Sequence, residues 1–270
     1  DTASDIDARI DGICSDLEKM RRLLLAKSRL TINLTAHSKI HGEAERTFGS
    51  FIDTLPAGES GNFIFELPCN TDGLRTESIV LPSAVNFAST VLPASSFVSS
   101  EHAHEVVVAQ MLKTNYLWEH VRMRGGAYGV SSSVNGGEML FSFSSYRDPN
   151  ITSTLETYKN ALDWIARGEV DPGELEKAVI TIIGRDIRPL SPGEKGLIGY
   201  RRKLYKISDE FRQKKRDELL STAPANVRAA AERLREGFDD SYSVVLGGED
   251  AITALPDNFS GFKENRIELR

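Results

Sequence analysis

"EHVRMRGGAYGVSSSVNGGEMLFSFSSY", residues 119–146, runs from a charged helix-like end through two glycines into two strand-like runs. Gly125 and Gly126 permit a sharp exit from a helix that a β-carbon would obstruct. AYGVSSSV and EMLFSFSSY then read as a hairpin over 127–146. Its turn is predicted at NGG, because Asn135 and Gly136 both tolerate positive φ. Arg122 and Tyr128 stand six residues apart on either side of the glycine corner. A guanidinium and a phenol are both hydrogen-bond donors, and a pair of donors can hold a carbonyl oxygen that gains negative charge during hydrolysis. Taken alone, the residues fit a plainer reading equally well: an arginine near a helix C-terminus, which the helix dipole favours, and a tyrosine with ordinary strand propensity.

Working outward, apolar residues at steps of three and four predict a helix over 4–26, with Ile6, Ile10, Ile13, Leu17, Met20 and Leu24 on one face. RLTINLTA, 29–36, alternates as a half-buried strand does, and a second helix is predicted at 43–55. Turn-rich stretches around PAGESGN and PCNTDG mark a linker, placed at 61–73. Strands follow at 75–81 and 84–92, then one long helix over 101–123 running into the glycine corner. Past the hairpin come helices at 150–167 and 172–187, the latter opening on Asp171-Pro172, a capping residue before a first-turn proline. Further helices occupy 194–236, and SYSVVLG, 241–247, is a closing strand. The succession helix, strand, short helix over 12–55 recurs over 225–255. This suggests the tail of one domain followed by a whole second one, divided at 1–60 and 74–262.

The chain has 270 residues, 40% of them hydrophobic and 27% charged, with a formal charge of −6. That composition is globular, and no run approaches the roughly 18 apolar residues of a membrane helix. The acidic balance argues against a general nucleic-acid binder. Residues 200–216 are a local exception, with eight Lys/Arg against two acids and interleaved Tyr200, Tyr205 and Phe211. A solvated basic face on a core-packed helix is the preferred reading over a single-strand nucleic-acid platform. Trp118 and Trp164, on predicted helices, are assigned to the core. The two cysteines, Cys14 and Cys69, read as free thiols in a reducing compartment: the cytoplasm, with an organelle matrix as the alternative.

No metal motif is present. The histidines are 37, 41, 102, 104 and 120, and none forms His-x-x-Glu-His. His37 and His41 are four apart but expected in a turn, and His102 and His104 point to different helix faces. There is no Gly-x-Ser-x-Gly nucleophile elbow either.

The string RMRGGAYG resembles the Arg…Gly-Gly-Ala-Tyr-Gly signature in the second half of presequence proteases, members of the pitrilysin or insulinase type of zinc metallopeptidase. NYLWEHVRMRGGAYG (115–129), GELEKAVI (173–180) and RDIRPLSPGEKG (185–196) are similar to the helix, following helix and proline loop of that branch. The resemblance implies an α+β fold with a mainly antiparallel sheet backed by helices. It implies that residues 1–60 end a third domain and 74–262 form a fourth, lacking the zinc motif. It further implies a whole enzyme whose two halves enclose unstructured peptides. Zinc would sit in an N-terminal half outside this chain, which becomes this chain's partner; neither nucleic acid nor membrane is expected as one. Arg122 and Tyr128 fall on the arginine and tyrosine that this branch contributes to substrate positioning and oxyanion stabilisation. The piece alone is expected to be inactive. The alternatives are a non-catalytic structural relative and a stand-alone peptide-binding module of the same fold.

Overall fold

A computed structural model describes residues 6–58, 76–255 and 263–266. The linker placed at 61–73, with Cys69, lies outside the described residues. The chain divides into two compact units: Asp1–Pro68 with Pro189–Ser208, and Cys69–Arg188 with Asp209–Arg270. No described helix is long and apolar enough to cross a membrane.

The first unit is helical. Helices α1 (Ile6–Leu24) and α2 (Ser38–Asp53) come from its N-terminal stretch. On α1, Arg21 and Arg22 both bond the Glu18 carboxylate and hold its pKa down at about 2. The strand predicted at 29–36 does not form. A short 3-10 turn, Lys27–Arg29, is followed by chain with no ladder partner among the described residues. Alternation alone does not make a strand; its N–H and C=O groups need a neighbouring strand to bond. The turn expected at HSKIHG is likewise replaced, because α2 begins there. His37 is its N-cap, and the imidazole Nδ1 accepts the Lys39 N–H at 3.2 Å. The later segment supplies a further helix, Pro192–Leu204, which opens on a reciprocal capping box between Ser191 and Glu194.

The second unit carries one sheet of six strands: β1 (Thr76–Val80), β2 (Asn86–Pro93), β3 (Gly129–Asn135), β4 (Leu140–Asp148), β5 (Tyr242–Gly247) and β6 (Lys263–Arg266), in the order β3-β4-β2-β5-β1-β6. The run from β3 to β5 is antiparallel throughout, and β1 lies parallel to both β5 and β6. Helices α3 (Glu101–Thr114) and α4 (Ile151–Arg167) back the sheet, and α8 (Pro224–Glu236) packs against both. Alternation sends Ala88 and Leu92 of β2 and Phe141 and Phe143 of β4 into the core, against Val108, Leu112, Leu162 and Leu234 of the helices. Tyr158 stacks on Phe143 with centroids 4.9 Å apart, and burial raises its phenol pKa.

Two local expectations are corrected. The long helix over 101–123 is broken. At Asn115 the backbone leaves the helical region, with φ −111° and ψ −85°. The Thr114 hydroxyl bonds back to the Gln110 carbonyl at 3.0 Å, and the Asn115 amide reaches Glu174 at 3.3 Å. Such short polar side chains compete with the helix ladder. The hairpin turn also differs. Asn135 pairs with Leu140, leaving a four-residue loop whose positive φ, 57°, falls on Met139. Asn135 works instead through its side chain, whose Oδ1 accepts the Gly137 and Glu138 N–H groups.

Candidate active-site corner

After the break the chain rewinds as a π-helical segment, Trp118–Arg124, which ends at Gly125. Such wide turns are rare and recur at functional sites. The Gly125 N–H bonds the His120 carbonyl at 3.0 Å, the Gly126 N–H the Arg122 carbonyl at 3.1 Å, and the Ala127 N–H the Val121 carbonyl at 3.1 Å. A β-carbon on Gly125 would meet the Val121 carbonyl oxygen at 2.6 Å. Gly126 has φ +77°, a conformation costly to other residues. The Asn150 side chain clips the corner from outside, donating to the Gly125 carbonyl at 2.8 Å. Beside it opens a cleft of about 320 Å³ lined in part by Pro149, Asn150, Ile151 and Ser153.

Arg122, in the last turn of the π-helical segment, is exposed, and its guanidinium carbon lies 4.0 Å from the centre of the Trp118 ring. Trp118 is therefore not core as expected. It is 43% exposed and serves as a platform. Trp164 is also 41% exposed, tilted against Tyr116, which in turn stacks on His120 at 4.1 Å. Their helices face the core with other residues, Val121 and Leu162 among them. Arg124 is spoken for by Glu119. Arg122 has no carboxylate partner among the described residues.

Tyr128 stands immediately before β3 and is 67% exposed. Its N–H bonds the Arg147 carbonyl at 3.3 Å, its ring meets Tyr146 edge-on at 5.7 Å, and the Arg147 guanidinium lies 5.8 Å from its centroid. Among the described residues nothing bonds its hydroxyl. Arg122 and Tyr128 do not bond each other. Each presents its donors to solvent from its own aromatic support. Sequence reasoning missed Trp118, Tyr146 and Arg147 as members of this corner. The one available signal was the spacing of Trp118 and Arg122, four apart on helical chain.

Among the described residues the histidines are engaged apart from one another, His41 facing Glu45. His37 is occupied as an N-cap, His102 packs edge-on against Phe97, His104 faces Glu101 and His120 lies on Tyr116. Among the described residues no group of three or more His, Cys, Asp or Glu could hold a metal. His102 is nearly buried, and its pKa is lowered to about 4, chiefly by burial and then by Lys215, with Glu218 opposing.

The basic run at 200–216 is not one face. Its first helix ends at Leu204, Lys206 takes φ 54°, and a new helix starts at Asp209. Lys215 is buried, donating to the Ser99 carbonyl and pairing with Glu218, both at 2.6 Å. Arg212 and Arg216 pair with Asp209 and Asp186. The expected solvated face on a core-packed helix is thus corrected: Leu204 is exposed and Lys215 is not.

A model of the PreP C-terminal domain matches residues 76–246. The chain belongs to that family. It is 32% identical over 267 residues to presequence protease 1, chloroplastic/mitochondrial, of Arabidopsis thaliana, a match that covers 98% of this chain and 24% of that protein. It is 33% identical over 171 residues to the mitochondrial presequence protease of Danio rerio, covering 63% of this chain and 16% of the relative. The chain thus spans about a quarter or less of these relatives. Among solved structures it is similar to a protease from Helicobacter pylori (TM-score 0.59, 17% identity, 78% of this chain and 53% of that one). It is also similar to a peptidase M16 inactive domain from Pseudomonas fluorescens (TM-score 0.55, 17% identity, 78% and 52%). These two likenesses show the α+β fold. Within the PreP C-terminal family match lie the corner, both its glycines, and every aromatic support named above.

Proposed function

We propose that this chain is the C-terminal part of a zinc oligopeptidase that encloses and degrades unstructured peptides, with Arg122 and Tyr128 acting on the bound peptide. Residues 1–60 end one domain and 74–262 form the next, except that Pro189–Ser208 groups with the first compact unit. The metal belongs to a preceding half of the same polypeptide, since the histidines of this chain do not fit it. The matched relatives, about four times as long as the chain, support that division. The cytoplasm or an organelle matrix suits such an enzyme.

The observation that carries the catalytic role is the state of the two donors. Arg122 is a cation held on Trp118 without a counter-charge among the described residues, and Tyr128 offers an unbonded hydroxyl across a rigid corner. Donors held in place and, among the described residues, without hydrogen-bond partners need little reorganisation to receive a developing oxyanion. Arg122 contributes charge-assisted bonds to the peptide carbonyl as it becomes negative; Tyr128 donates its O–H to the same peptide group. Water exclusion by the opposing half would strengthen both contacts.

Measuring peptide hydrolysis by the whole protein carrying Arg122→Gln tests this role. A fall in kcat/KM of roughly 10²-fold or more is expected for a lost oxyanion donor. Full activity would remove Arg122 from the reaction and favour a structural corner.

A further inference from the structure

Arg147 occupies a conformation that arginine seldom takes. β2 pairs Asn86 with Asp148 and Phe87 with Tyr146, so Arg147 is the extra residue of a β-bulge in β4. Its φ is 49°. Bulges of this kind ordinarily place glycine at the left-handed position, because a β-carbon there costs about 1–2 kcal/mol. Bulges also re-aim side chains, and here the side chain is aimed at the corner. The guanidinium carbon lies 5.8 Å from the Tyr128 centroid and 5.5 Å from that of Tyr146, within the range of cation–π attraction. Across the β3–β4 ladder the Arg147 carbonyl accepts the Tyr128 N–H, which fixes the bulge opposite Tyr128 itself.

The charge balance of this face is uneven. Asp148, next in sequence, is fully buried, and its Oδ1 accepts the Asn150 N–H at 2.8 Å. Arg147 is exposed, and among the described residues no carboxylate pairs with it. Arg124, at the end of the π-helical segment, takes Glu119. Arg122 and Arg147, one on each side of Tyr128 in the chain, are therefore both cations without a carboxylate partner among the described residues.

We propose that Arg147 is a specificity-determining residue that binds a carboxylate of the peptide held at the Arg122–Tyr128 site. The inference rests on the reading that this site receives peptide. Cation–π attraction to the two tyrosine rings keeps the guanidinium beside them, and its N–H groups, with no carboxylate partner among the described residues, can make a two-point bond to carboxylate. The carboxylate can come from an acidic side chain or from the peptide C-terminus, whose chemistry is the same.

The test uses the whole protein and one unstructured peptide in four forms: with a single glutamate near the scissile bond or glutamine in its place, and with a free or an amidated C-terminus. Wild type should cleave one carboxylate form with kcat/KM about tenfold above its neutral counterpart, through KM. Response to Glu against Gln assigns the side chain; response to free against amidated assigns the terminus. Arg147→Asn, which tolerates positive φ and keeps the bulge, should reduce the preference to about twofold or less. Arg147→Lys should keep part of it. Equal cleavage of all four forms by wild type, or a preference that survives Arg147→Asn, would overturn the assignment. Tyr128→Phe retains the ring under Arg147, so it should lower kcat on every form and leave the ratio intact. A Tyr128→Phe protein with full rate and an unchanged ratio strikes the oxyanion role alone and supports the carboxylate site.

Discussion

The Arg122 guanidinium lies 4.0 Å from the centre of the Trp118 ring, one helical turn earlier in the π-helical segment. This contact fixes where a long, otherwise freely rotating side chain presents its donors. In the proposed role, a guanidinium without this contact would lose rotamer entropy on engaging a peptide.

Trp118→Leu should therefore reduce kcat/KM of the whole protein by about two- to fivefold, the equivalent of a cation–π contact of roughly 0.5–1 kcal/mol at an exposed site. Trp118→Tyr, which keeps an aromatic face, should recover most of it. Steady-state kinetics on the pair checks this, and equal losses in both variants would refute the platform role.

The corner glycines should differ in what they tolerate. Gly125→Ala drives a β-carbon onto the Val121 carbonyl oxygen, backbone that cannot step aside, so a loss of about 1–3 kcal/mol is expected from overpacking. Gly126→Ala meets only the Pro149 ring at 3.4 Å and pays mainly for its positive φ, about 1 kcal/mol. Urea unfolding of the 270-residue chain compares them directly. A Gly125→Ala chain as stable as the parent would mean that the corner is looser than its hydrogen bonds indicate.

His102 makes stability depend on pH. Its folded pKa is depressed to about 4 by burial, so between that value and its ordinary 6.5 the unfolded chain binds more protons than the folded one. The contribution is whole above about pH 6.5 and is lost as pH falls towards 4. A drop of order 2 kcal/mol is expected, reduced from the full linkage by residual exposure. His102→Gln should flatten this part of the profile, and titration of the imidazole by NMR with a midpoint near 6.5 would contradict it.

Much of this fold was legible because its helices and strands declare themselves by period. α4 and α5 (Pro172–Asp186) carry apolar stripes and, in the second case, an Asp-Pro start; β2 and β4 alternate; and all appear within a few residues of their predicted bounds. The failures have a common cause. RLTINLTA alternates correctly, but a strand exists only with a partner, which a local pattern cannot supply. The break at Asn115 is met by Glu174, fifty-nine residues on, and the loop after Asn135 turns on that residue's side chain, with the positive φ at Met139. At the corner, the family motif marked Arg122 and Tyr128, whereas Arg147 was invisible: nothing in SYRDP announces a bulge, which arises only when β2 pairs out of step with β4.

The proposed catalytic role is tested most directly by the single-turnover rate of the whole protein bearing Tyr128→Phe, at saturating peptide and with the fold verified by its unfolding midpoint. Removal of one hydroxyl, with ring and packing kept, should slow the chemical step by roughly 10²-fold while peptide affinity changes little. An unaltered rate at full saturation would show that this phenol takes no part in hydrolysis.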